Sequence, residues 1–437
     1  MTLKFGTDGV RGVALVELTT SFTTSLGIAA ARVIPGERWL LGRDPRESGA
    51  ALEAALAEGL CAHGATVELL GVVPTPALAF LAAREGCPAA MITASHNRFT
   101  DNGVKLFAPG GQKLPDDVEE QIEAALADGA PPVGPSGSVV TRAGAVDDYV
   151  RRLETLFPAK ALAGVRLTLD CANGAMSEAA PVAFERLGAD VTVIHASPDG
   201  RNINEGCGAT APGSLATAVV ADASEIGIAL DGDGDRVIAA DHLGRIVDGD
   251  HLLALEAVRM RDAGDLADDT VVVTVMSNLG LRLAMQRVGI EVVETAVGDR
   301  YVLEALREGG YTLGGEQSGH LIFPRLATTG DGLLAGLRLA QLVRDAGRPL
   351  SELAAEVMTA LPQVLVNVKV AERHPDVAEE LGAEIAAAES SLNGEGRVLV
   401  RASGTEPLVR VMVEALTAEQ AQQVADDLAA VVQERWA

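Results

Sequence analysis

Apolar and polar positions follow one another in the same order at three places along the chain. Each copy has an apolar run, a short polar loop, an amphipathic helical pattern, a glycine and a second apolar run, over residues 39–70, 165–194 and 271–293. This order predicts a strand–helix–strand unit in each copy. The turn glycines Gly64, Gly188 and Gly289 lie about 100 residues apart, which is too long for a solenoid and fits tandem α/β domains.

The last 75 residues depart from this order. Two apolar runs, 397–401 and 408–414, flank a polar loop, and a helical pattern then follows Thr417, whose hydroxyl suits a helix N-cap. These features predict a smaller α+β domain. A stretch rich in Gly, Pro and Ser, 129–145, is predicted to be a surface linker near the end of the first domain.

Charge and composition exclude several classes of protein. The chain has 61 acidic and 35 basic residues, a net charge of −26. Nucleic acids and anionic membranes attract clustered lysines and arginines, whereas the positive charges here are scattered, so neither partner is expected. No run of roughly 18 apolar residues and no apolar leader segment occurs, which argues against membrane spans and export. The four cysteines lack CxxC spacing, which favours reduced, buried thiols and a cytoplasmic location.

Three aspartates, Asp231, Asp233 and Asp235, lie within five residues directly after the apolar run 226–230. The glycines between them let the backbone curl until the carboxylates converge on one hard cation, for which Mg²⁺ is the expected ion. Arg236 beside the triplet indicates that the metal shares an anionic partner, most simply a phosphoryl group. A solvated acidic hairpin is the alternative interpretation.

A serine, Ser95, follows the apolar run 89–92 and precedes His96 and Asn97. It lacks the flanking glycines of a nucleophile elbow, so acyl transfer is not indicated. With Lys105 ten residues further on, Ser95 could carry a phosphoryl group whose charge the lysine and a metal neutralise. An ordinary helix cap is the alternative.

Two further loops offer groups that bind sugars and phosphates. Residues 314–320 combine glycines with Glu316, Ser318 and His320, a mixture that suits sugar hydroxyls. The loop of the terminal domain combines two arginines, two hydroxyls and a glycine, namely Arg401, Ser403, Gly404, Thr405 and Arg410. Fork-shaped charged donors with hydroxyls beside them fit a dianionic phosphate. A polar surface loop and a salt-bridged turn are the respective alternatives.

Together these motifs resemble those of the α-D-phosphohexomutases, and the resemblance covers essentially the whole chain. Five segments carry it, in order: 5–12, 93–97 with 101–103, 231–236, 315–320 and 401–407. The resemblance implies an α/β fold class, with three related α/β domains of mixed sheets and a smaller C-terminal α+β domain around a central cleft. The expected boundaries are 1–148, 149–250, 251–362 and 363–437. Many members have proline where this chain has Arg98 and Ala402, and both changes relax the backbone stiffness of these loops without removing a functional side chain.

The resemblance also implies roles around the reacting phosphoryl group. Ser95 resembles the phosphoserine, and one of its phosphate oxygens would complete the Mg²⁺ site formed by the aspartate triplet. Three cations are expected to line the transferring group: Arg11, Lys105 and Arg236. His96 would support the loop, and Lys105 would handle the proton or serve only as a counter-charge.

On the substrate side, Glu316, Ser318 and His320 resemble the residues that bind sugar hydroxyls. The clamp on the non-reacting phosphate is expected from the set named above: Arg401, Ser403, Gly404, Thr405 and Arg410. Gln317, together with residues 298–301, resembles the glucosamine branch of the family.

The implied reaction interconverts glucosamine 6-phosphate and glucosamine 1-phosphate through a phosphoserine enzyme and a 1,6-bisphosphate, for UDP-N-acetylglucosamine and cell-wall precursors. Glucosamine or glucose 1,6-bisphosphate would prime the enzyme, which is expected to be a monomer or homodimer. Mannose or glucose phosphates are the alternative substrates within the family. A Mg²⁺-dependent sugar phosphatase with Asp231 as nucleophile, or a non-catalytic sugar-phosphate sensor, are the alternatives outside it.

Overall fold

The computed structural model describes residues 3–6, 8–129, 136–403 and 407–436. It divides into two compact units, which we call the large unit (Met1–Met276 and Ile290–Ala355) and the small unit (Ser277–Gly289 and Glu356–Ala437). Among the described residues, no helix is both long and apolar enough to cross a membrane.

The first sheet of the large unit has the strand order β1-β2-β6-β5-β3-β4-β7. Its strands are β1 (Phe5–Gly6), β2 (Gly9–Val13), β3 (Arg38–Arg43), β4 (Thr66–Val72), β5 (Ala89–Ile92), β6 (Asp101–Phe107) and β7 (Ser138–Thr141). The helices in this part of the chain are α1 (Thr20–Val33), α2 (Gly49–Cys61), α3 (Thr75–Glu85), α4 (Asp116–Ala127) and α5 (Ala145–Glu154). Trp39 and Leu41 of β3 are fully buried in the core that α1 and α2 cover.

The second sheet has the order β12-β11-β10-β8-β9. It contains β8 (Arg166–Asp170), β9 (Asp190–Ile194), β10 (Ile226–Leu230), β11 (Val237–Asp241) and β12 (Ile246–Val247), with helices α6 (Met176–Arg186) and α7 (Gly213–Ala221). Every residue of β10 and β11 is buried. Strands covered on both faces are apolar throughout, which explains the unbroken apolar run before the aspartate triplet.

The third sheet has the order β14-β13-β15-β16. Its strands are β13 (Thr270–Thr274), β14 (Glu291–Thr295), β15 (Gly314–Gly315) and β16 (Leu321–Ile322). The helices are α8 (Gly249–Asp262), α9 (Leu279–Arg287), α10 (Asp299–Gly309), α11 (Gly332–Ala346) and α12 (Leu350–Val357), with a short 3₁₀ turn at Ala267–Asp269. Helix α9 belongs to the small unit, although it connects two strands of this sheet.

The small unit contains an antiparallel sheet of order β17-β19-β18. Its strands are β17 (Gln363–Lys369), β18 (Arg397–Ala402) and β19 (Leu408–Glu414), and its further helices are α13 (Val377–Glu380), α14 (Gly382–Ser391) and α15 (Ala418–Trp436). Thr417 caps α15 by accepting a hydrogen bond from the Gln420 amide at 3.2 Å. The two predicted strands and the predicted helix of this domain are therefore confirmed, whereas residues 404–406 of the predicted loop lie outside the described part of the chain.

The predicted threefold repeat is confirmed as well. In each copy the two strands pair in parallel, β3 with β4, β8 with β9 and β13 with β14. The turn glycines Gly64, Gly188 and Gly289 have φ of +87°, +96° and +74°. Glycine adopts this left-handed region without a steric penalty, so these residues end each helix and turn the chain into the second strand.

The predicted surface linker over 129–145 is wrong in part. Within it, β7 (Ser138–Thr141) pairs in parallel with β4 at the edge of the first sheet. Its four residues are all exposed, and Val139 is 50% accessible. An edge strand forms hydrogen bonds on one side only and needs no apolar pattern, which is why composition did not reveal it. Residues 130–135 of the predicted linker lie outside the described part of the chain.

All four cysteines are free and buried, as predicted. Burial raises the pKa of each thiol: Cys61, Cys87, Cys171 and Cys207. For Cys207, burial and the nearby Asp170 raise the pKa to about 12. These thiols stay protonated at neutral pH and are poor nucleophiles.

Candidate active site

The aspartate triplet lies in the loop between β10 and β11, which pair antiparallel. One carboxylate oxygen from each of Asp231, Asp233 and Asp235 lies within 4.8 Å of the others, and all three side chains are buried. One oxygen each of Asp233 and Asp235 is buried without a hydrogen-bond partner among the described residues. Converging hard oxygen donors with unused lone pairs fit a Mg²⁺ ion.

Glycine is required between the first two aspartates by close packing. A Cβ on Gly232 would lie 2.6 Å from the Ser95 carbonyl oxygen and 2.7 Å from the Asn204 side-chain nitrogen. Real Cβ atoms do not approach backbone oxygens this closely, so any side chain here would push the serine loop away from the triplet.

Ser95 follows β5 and is brought to the triplet from the first sheet. Its Oγ donates a hydrogen bond to Asp231 Oδ2 at 2.7 Å, and His96 Nδ1 lies 3.4 Å from the same Oγ. The serine is fully buried and has φ of +51°. The predicted phosphoryl carrier and the predicted metal ligands therefore share one site, although 136 residues separate Ser95 from Asp231.

Lys105, on β6, pairs with two carboxylates of the triplet and with Asp8. Its Nζ lies 2.9 Å from Asp233, 3.1 Å from Asp235 and 3.1 Å from Asp8. Burial works against the charge of Lys105, but the three carboxylates outweigh burial and raise its pKa well above the usual value. Lys105 therefore holds its proton here, which favours the counter-charge role over that of a base.

Two arginines and a histidine complete this cluster. Arg11, on β2, forms an ion pair with Asp8, and the Nε atoms of Arg11 and Arg236 are buried without a hydrogen-bond partner among the described residues. Burial, together with the charges of Arg236 and Arg11, lowers the pKa of His96 to about 4. His96 is therefore neutral at pH 7, while the arginines keep donors available for phosphoryl oxygens.

The predicted sugar-binding loop connects β15 to β16 and is attached to the metal loop. The Val237 amide donates to the Gly319 carbonyl at 3.0 Å, at the start of β11. Within the loop, Ser318 Oγ donates to Glu316 at 3.4 Å. His320 is 2% exposed and lies 3.7 Å from Asp235. The hydroxyl-binding candidates therefore lie beside the metal candidates.

In the small unit, Arg401 and Arg410 are direct cross-strand partners on β18 and β19. Burial and the positive charge of Arg410 lower the pKa of Arg401. Arg410 Nε is buried without a hydrogen-bond partner among the described residues. Ser403 is buried, and its amide donates a hydrogen bond to the Leu408 carbonyl at 2.8 Å, which continues the pairing of β18 with β19 by one residue. Gly404 and Thr405 lie outside the described residues.

Comparison with known proteins identifies the family. Residues 2–131, 147–244 and 248–361 match the models of phosphoglucomutase/phosphomannomutase alpha/beta/alpha domains I, II and III, and residues 365–431 match the C-terminal domain of that family. The chain belongs to the phosphohexomutase family. It is therefore a mutase, an enzyme of the isomerase class.

Full-length relatives support the same assignment. This phosphohexomutase is 51% identical to the phosphoglucosamine mutase of Rhodococcus opacus in an alignment that covers 98% of each chain. It is also 51% identical to the phosphoglucosamine mutase of Kineococcus radiotolerans in an alignment that covers 100% of both chains.

Solved structures share the fold. The crystal structure of a Burkholderia thailandensis phosphoglucomutase/phosphomannomutase family protein has a TM-score of 0.83 and 26% identity, covering 98% of this chain and 97% of its own. Aspergillus fumigatus N-acetylphosphoglucosamine mutase, solved with GlcNAc-6P and magnesium, has a TM-score of 0.72 and 20% identity, covering 100% and 96%. At that identity the second likeness concerns the fold alone.

Several residues of this phosphohexomutase site do not stand out in the sequence. Lys113 Nζ lies 2.7 Å from Asp8 and 2.5 Å from Asp299, and Asp299 lies 3.4 Å from His320. These contacts connect the segment between β1 and β2 of the first sheet with the start of α10 and with the loop before β16 of the third sheet. Single charged residues far apart in sequence form no motif, so only the fold brings them together. Asp299 lies within the segment 298–301, whose motif was the only sequence feature pointing to it.

A hydroxyl from the first domain also contacts the metal loop. Thr75, at the start of α3, donates to Asp233 Oδ2 at 2.6 Å, and its amide donates to the Asp233 carbonyl at 2.9 Å. The threonine therefore fixes both the backbone and the carboxylate of Asp233. Its sequence context, a Thr-Pro pair at a helix start, is that of an ordinary N-terminal turn.

We expect Arg410→Gln to weaken sugar-phosphate binding. The unpartnered Nε and the facing Arg401 would suit a dianion, and a hydrogen bond to a charged group is worth about 1.5–3 kcal/mol, or roughly 10- to 150-fold in kcat/KM. Steady-state kinetics should show most of the loss in KM. Arg435→Gln, which removes an exposed arginine paired with Glu384 in the same unit, is the control. Unchanged kcat and KM in Arg410→Gln would rule out the clamp.

Proposed function

We propose that this phosphohexomutase interconverts glucosamine 6-phosphate and glucosamine 1-phosphate, with Ser95 as the phosphoryl carrier. The observation that supports the carrier role best is the 2.7 Å hydrogen bond from Ser95 Oγ to Asp231, inside a cluster of buried carboxylates and cations. Glucosamine as the sugar is supported by the name phosphoglucosamine mutase, which full-length relatives with 51% identity carry.

In the proposed reaction, the phosphoryl group of phospho-Ser95 passes to O1 of glucosamine 6-phosphate. The bond between phosphorus and Ser95 Oγ breaks, and a bond between phosphorus and O1 forms. O1 gives up its proton in this step, and the freed Ser95 Oγ gains a proton. The 1,6-bisphosphate then turns around and returns the phosphoryl group on O6 to Ser95, releasing glucosamine 1-phosphate. Both halves of the reaction use the same serine, so the enzyme ends each cycle phosphorylated.

The surrounding side chains have distinct tasks in this scheme. Lys105, Arg11 and Arg236 provide positive charge around the transferring group, and Lys105 keeps its proton because three carboxylates surround it. Mg²⁺, held by the aspartate triplet and a phosphoserine oxygen, would supply further charge neutralisation when bound. His96 Nδ1 lies 3.4 Å from Ser95 Oγ, and in the tautomer that carries its proton on Nδ1 the neutral imidazole can donate a hydrogen bond to Oγ.

Substrate binding is assigned to the two remaining loops. Glu316, Ser318 and His320 would accept and donate hydrogen bonds to sugar hydroxyls beside the triplet. The terminal-domain clamp would hold whichever phosphate is not reacting. Priming by glucosamine or glucose 1,6-bisphosphate follows from the need for a phosphorylated start. Cytoplasmic location, supply of cell-wall precursors, and a monomeric or dimeric state stay predictions.

The phosphatase alternative is disfavoured by the contacts of Asp231. A nucleophilic carboxylate needs an oxygen free to attack phosphorus. Here Oδ1 accepts the amides of Gly234 and Arg236 at 3.1 Å, and Oδ2 accepts the Ser95 hydroxyl. Both oxygens of Asp231 therefore already accept hydrogen bonds, so we favour the Ser95 hydroxyl as the nucleophile.

A coupled assay tests the substrate. Glucosamine, glucose and mannose 6-phosphates would be compared at matched concentrations with Mg²⁺ and a trace of sugar 1,6-bisphosphate. We expect a clear preference for glucosamine 6-phosphate. Preference for another hexose would keep the carrier and change the sugar, whereas inorganic phosphate release without isomerisation would replace the mutase by a phosphatase.

A further inference from the structure

Ser95 has a backbone conformation that costs free energy. Its φ of +51° lies in the left-handed region, where a side chain other than glycine is strained by roughly 1–2 kcal/mol. The residue is nevertheless fully buried and points its Oγ at Asp231. Surrounding contacts must therefore impose this conformation, and they can be traced from both backbone polar groups of Ser95.

On the amide side, Thr93 forms the connection. Its Oγ1 accepts a hydrogen bond from the Ser95 amide at 2.9 Å and donates one to Asp44 Oδ2 at 2.6 Å. Thr93 and Asp44 are both fully buried. The Ser95 amide is thus joined to Asp44 through a single hydroxyl.

On the carbonyl side, Arg46 forms the connection. Its Nη2 donates to the Ser95 carbonyl at 2.9 Å and its Nε donates to the same Asp44 Oδ2 at 2.9 Å. Its other guanidinium hydrogen bonds reach the carbonyls of Asn97, Arg98 and Asp101. All five N–H donors of this guanidinium are therefore used, four of them on carbonyl groups between Ser95 and Asp101, the first residue of β6.

Such an ion pair is an expensive way to stabilise a fold. Asp44 and Arg46 have no exposed side-chain surface, and moving two charges from water into the interior costs several kcal/mol each before pairing returns part of it. Apolar packing would stabilise the strand end equally well. What apolar side chains cannot do is specify a loop conformation through four carbonyl oxygens and one amide.

We propose that Asp44, Arg46 and Thr93 are positioning residues that hold Ser95 in its left-handed conformation, so that its Oγ faces the aspartate triplet. The proposal rests on Ser95 being the phosphoryl carrier. Asn204 adds a donor from the second domain, to the Ser95 carbonyl at 2.9 Å.

The test uses the full-length enzyme and two substitutions at one position. Thr93→Val removes the hydroxyl and keeps the shape, whereas Thr93→Ser keeps the hydroxyl. The probe is glucose 1,6-bisphosphate, and phosphorylation of Ser95 is followed with time by intact mass, alongside kcat and KM. Thr168→Val is the matched control, because Thr168 is also fully buried and its Oγ1 lies 2.9 Å from Ser224 Oγ, away from the Ser95 loop.

We expect Thr93→Val to lower kcat and the rate of Ser95 phosphorylation by the same factor, roughly 10-fold or more, while KM changes less than about threefold. Thr93→Ser should restore both rates to within about threefold of the native enzyme. Asp44→Asn, which also leaves Arg46 without its counter-charge, should lower both rates by roughly 100-fold. Thr168→Val should leave both rates, per folded molecule, unchanged.

Three outcomes would overturn the proposal, and they can be told apart. If the native enzyme acquires phosphate on Ser95 and Thr93→Val does so equally fast, the positioning role is wrong and the carrier stands. If the native enzyme acquires no phosphate on Ser95, the carrier and the positioning role fall together. Equal losses in Thr93→Val and Thr168→Val would show a general effect of removing a buried hydroxyl, and would also overturn it.

Discussion

Ser95→Ala is expected to abolish mutase activity, by roughly 10⁴- to 10⁶-fold, because no other atom takes over a covalent carrier's role. Binding of glucosamine 6-phosphate should change little, since the sugar and clamp loops keep all their side chains. Loss of the Oγ also removes one hydrogen bond to Asp231, which costs little because that carboxylate keeps two amide donors. The measurements are kcat and the dissociation constant of the substrate.

A matched serine separates this effect from a general one. Ser177→Ala removes a hydroxyl that donates to the Gly174 carbonyl at 2.7 Å at the start of α6, and should leave kcat unchanged. Intact mass should find one phosphate on the native enzyme after treatment with a sugar 1,6-bisphosphate and none on Ser95→Ala. Substantial turnover by the alanine variant would eliminate the phosphoserine shuttle.

The second large effect is expected from Asp231→Asn, which should lower activity by roughly 10³-fold and raise the Mg²⁺ concentration needed for half-maximal rate. Burial and the charges of Asp235 and Asp233 raise the pKa of Asp231 in the metal-free enzyme, so removing its charge relieves repulsion. The melting temperature without metal should therefore hold or rise while activity falls. A variant that is merely less stably folded would instead lose both melting temperature and activity.

The control for Asp231→Asn is another buried carboxyl. Glu256 is 3% exposed and is paired with Arg259 and Arg338 outside the triplet. Glu256→Gln should leave the Mg²⁺ dependence as it is in the native enzyme, even if it lowers the melting temperature. Removal of Mg²⁺ by a chelator should abolish the activity of the native enzyme, and added Mg²⁺ should restore that activity. An Asp231→Asn variant with native rates at the native Mg²⁺ concentration would contradict the assigned metal site.

The parts of the site that were predictable from sequence are those carried by short loops after apolar strands. Ser95 follows β5 and the triplet follows β10, so the hydrophobic pattern placed each on a strand end before the fold was known. Parallel strand pairs with a glycine turn were equally predictable, because period and turn chemistry are local properties.

The connections between these loops were not predictable. Arg46 interacts with carbonyl groups about 50 residues away, and backbone acceptors leave no trace in the amino-acid sequence. The pairing of Lys113 with Asp299 likewise depends on how two sheets meet. The role of Lys105 was open until the structure placed three carboxylates around it, since burial alone would have lowered its pKa. Long-range electrostatics is set by the tertiary fold, which local patterns do not encode.

The four buried thiols have a practical consequence for site-specific labelling of this enzyme. Maleimides and other alkylating probes react with thiolates, and burial keeps all four native cysteines protonated and covered. A cysteine introduced at an exposed helix position of either unit would therefore react with the probe much faster than the four native thiols. Two such cysteines, one in each unit, would carry a pair of fluorophores that could report conformational change during turnover without removal of the native cysteines.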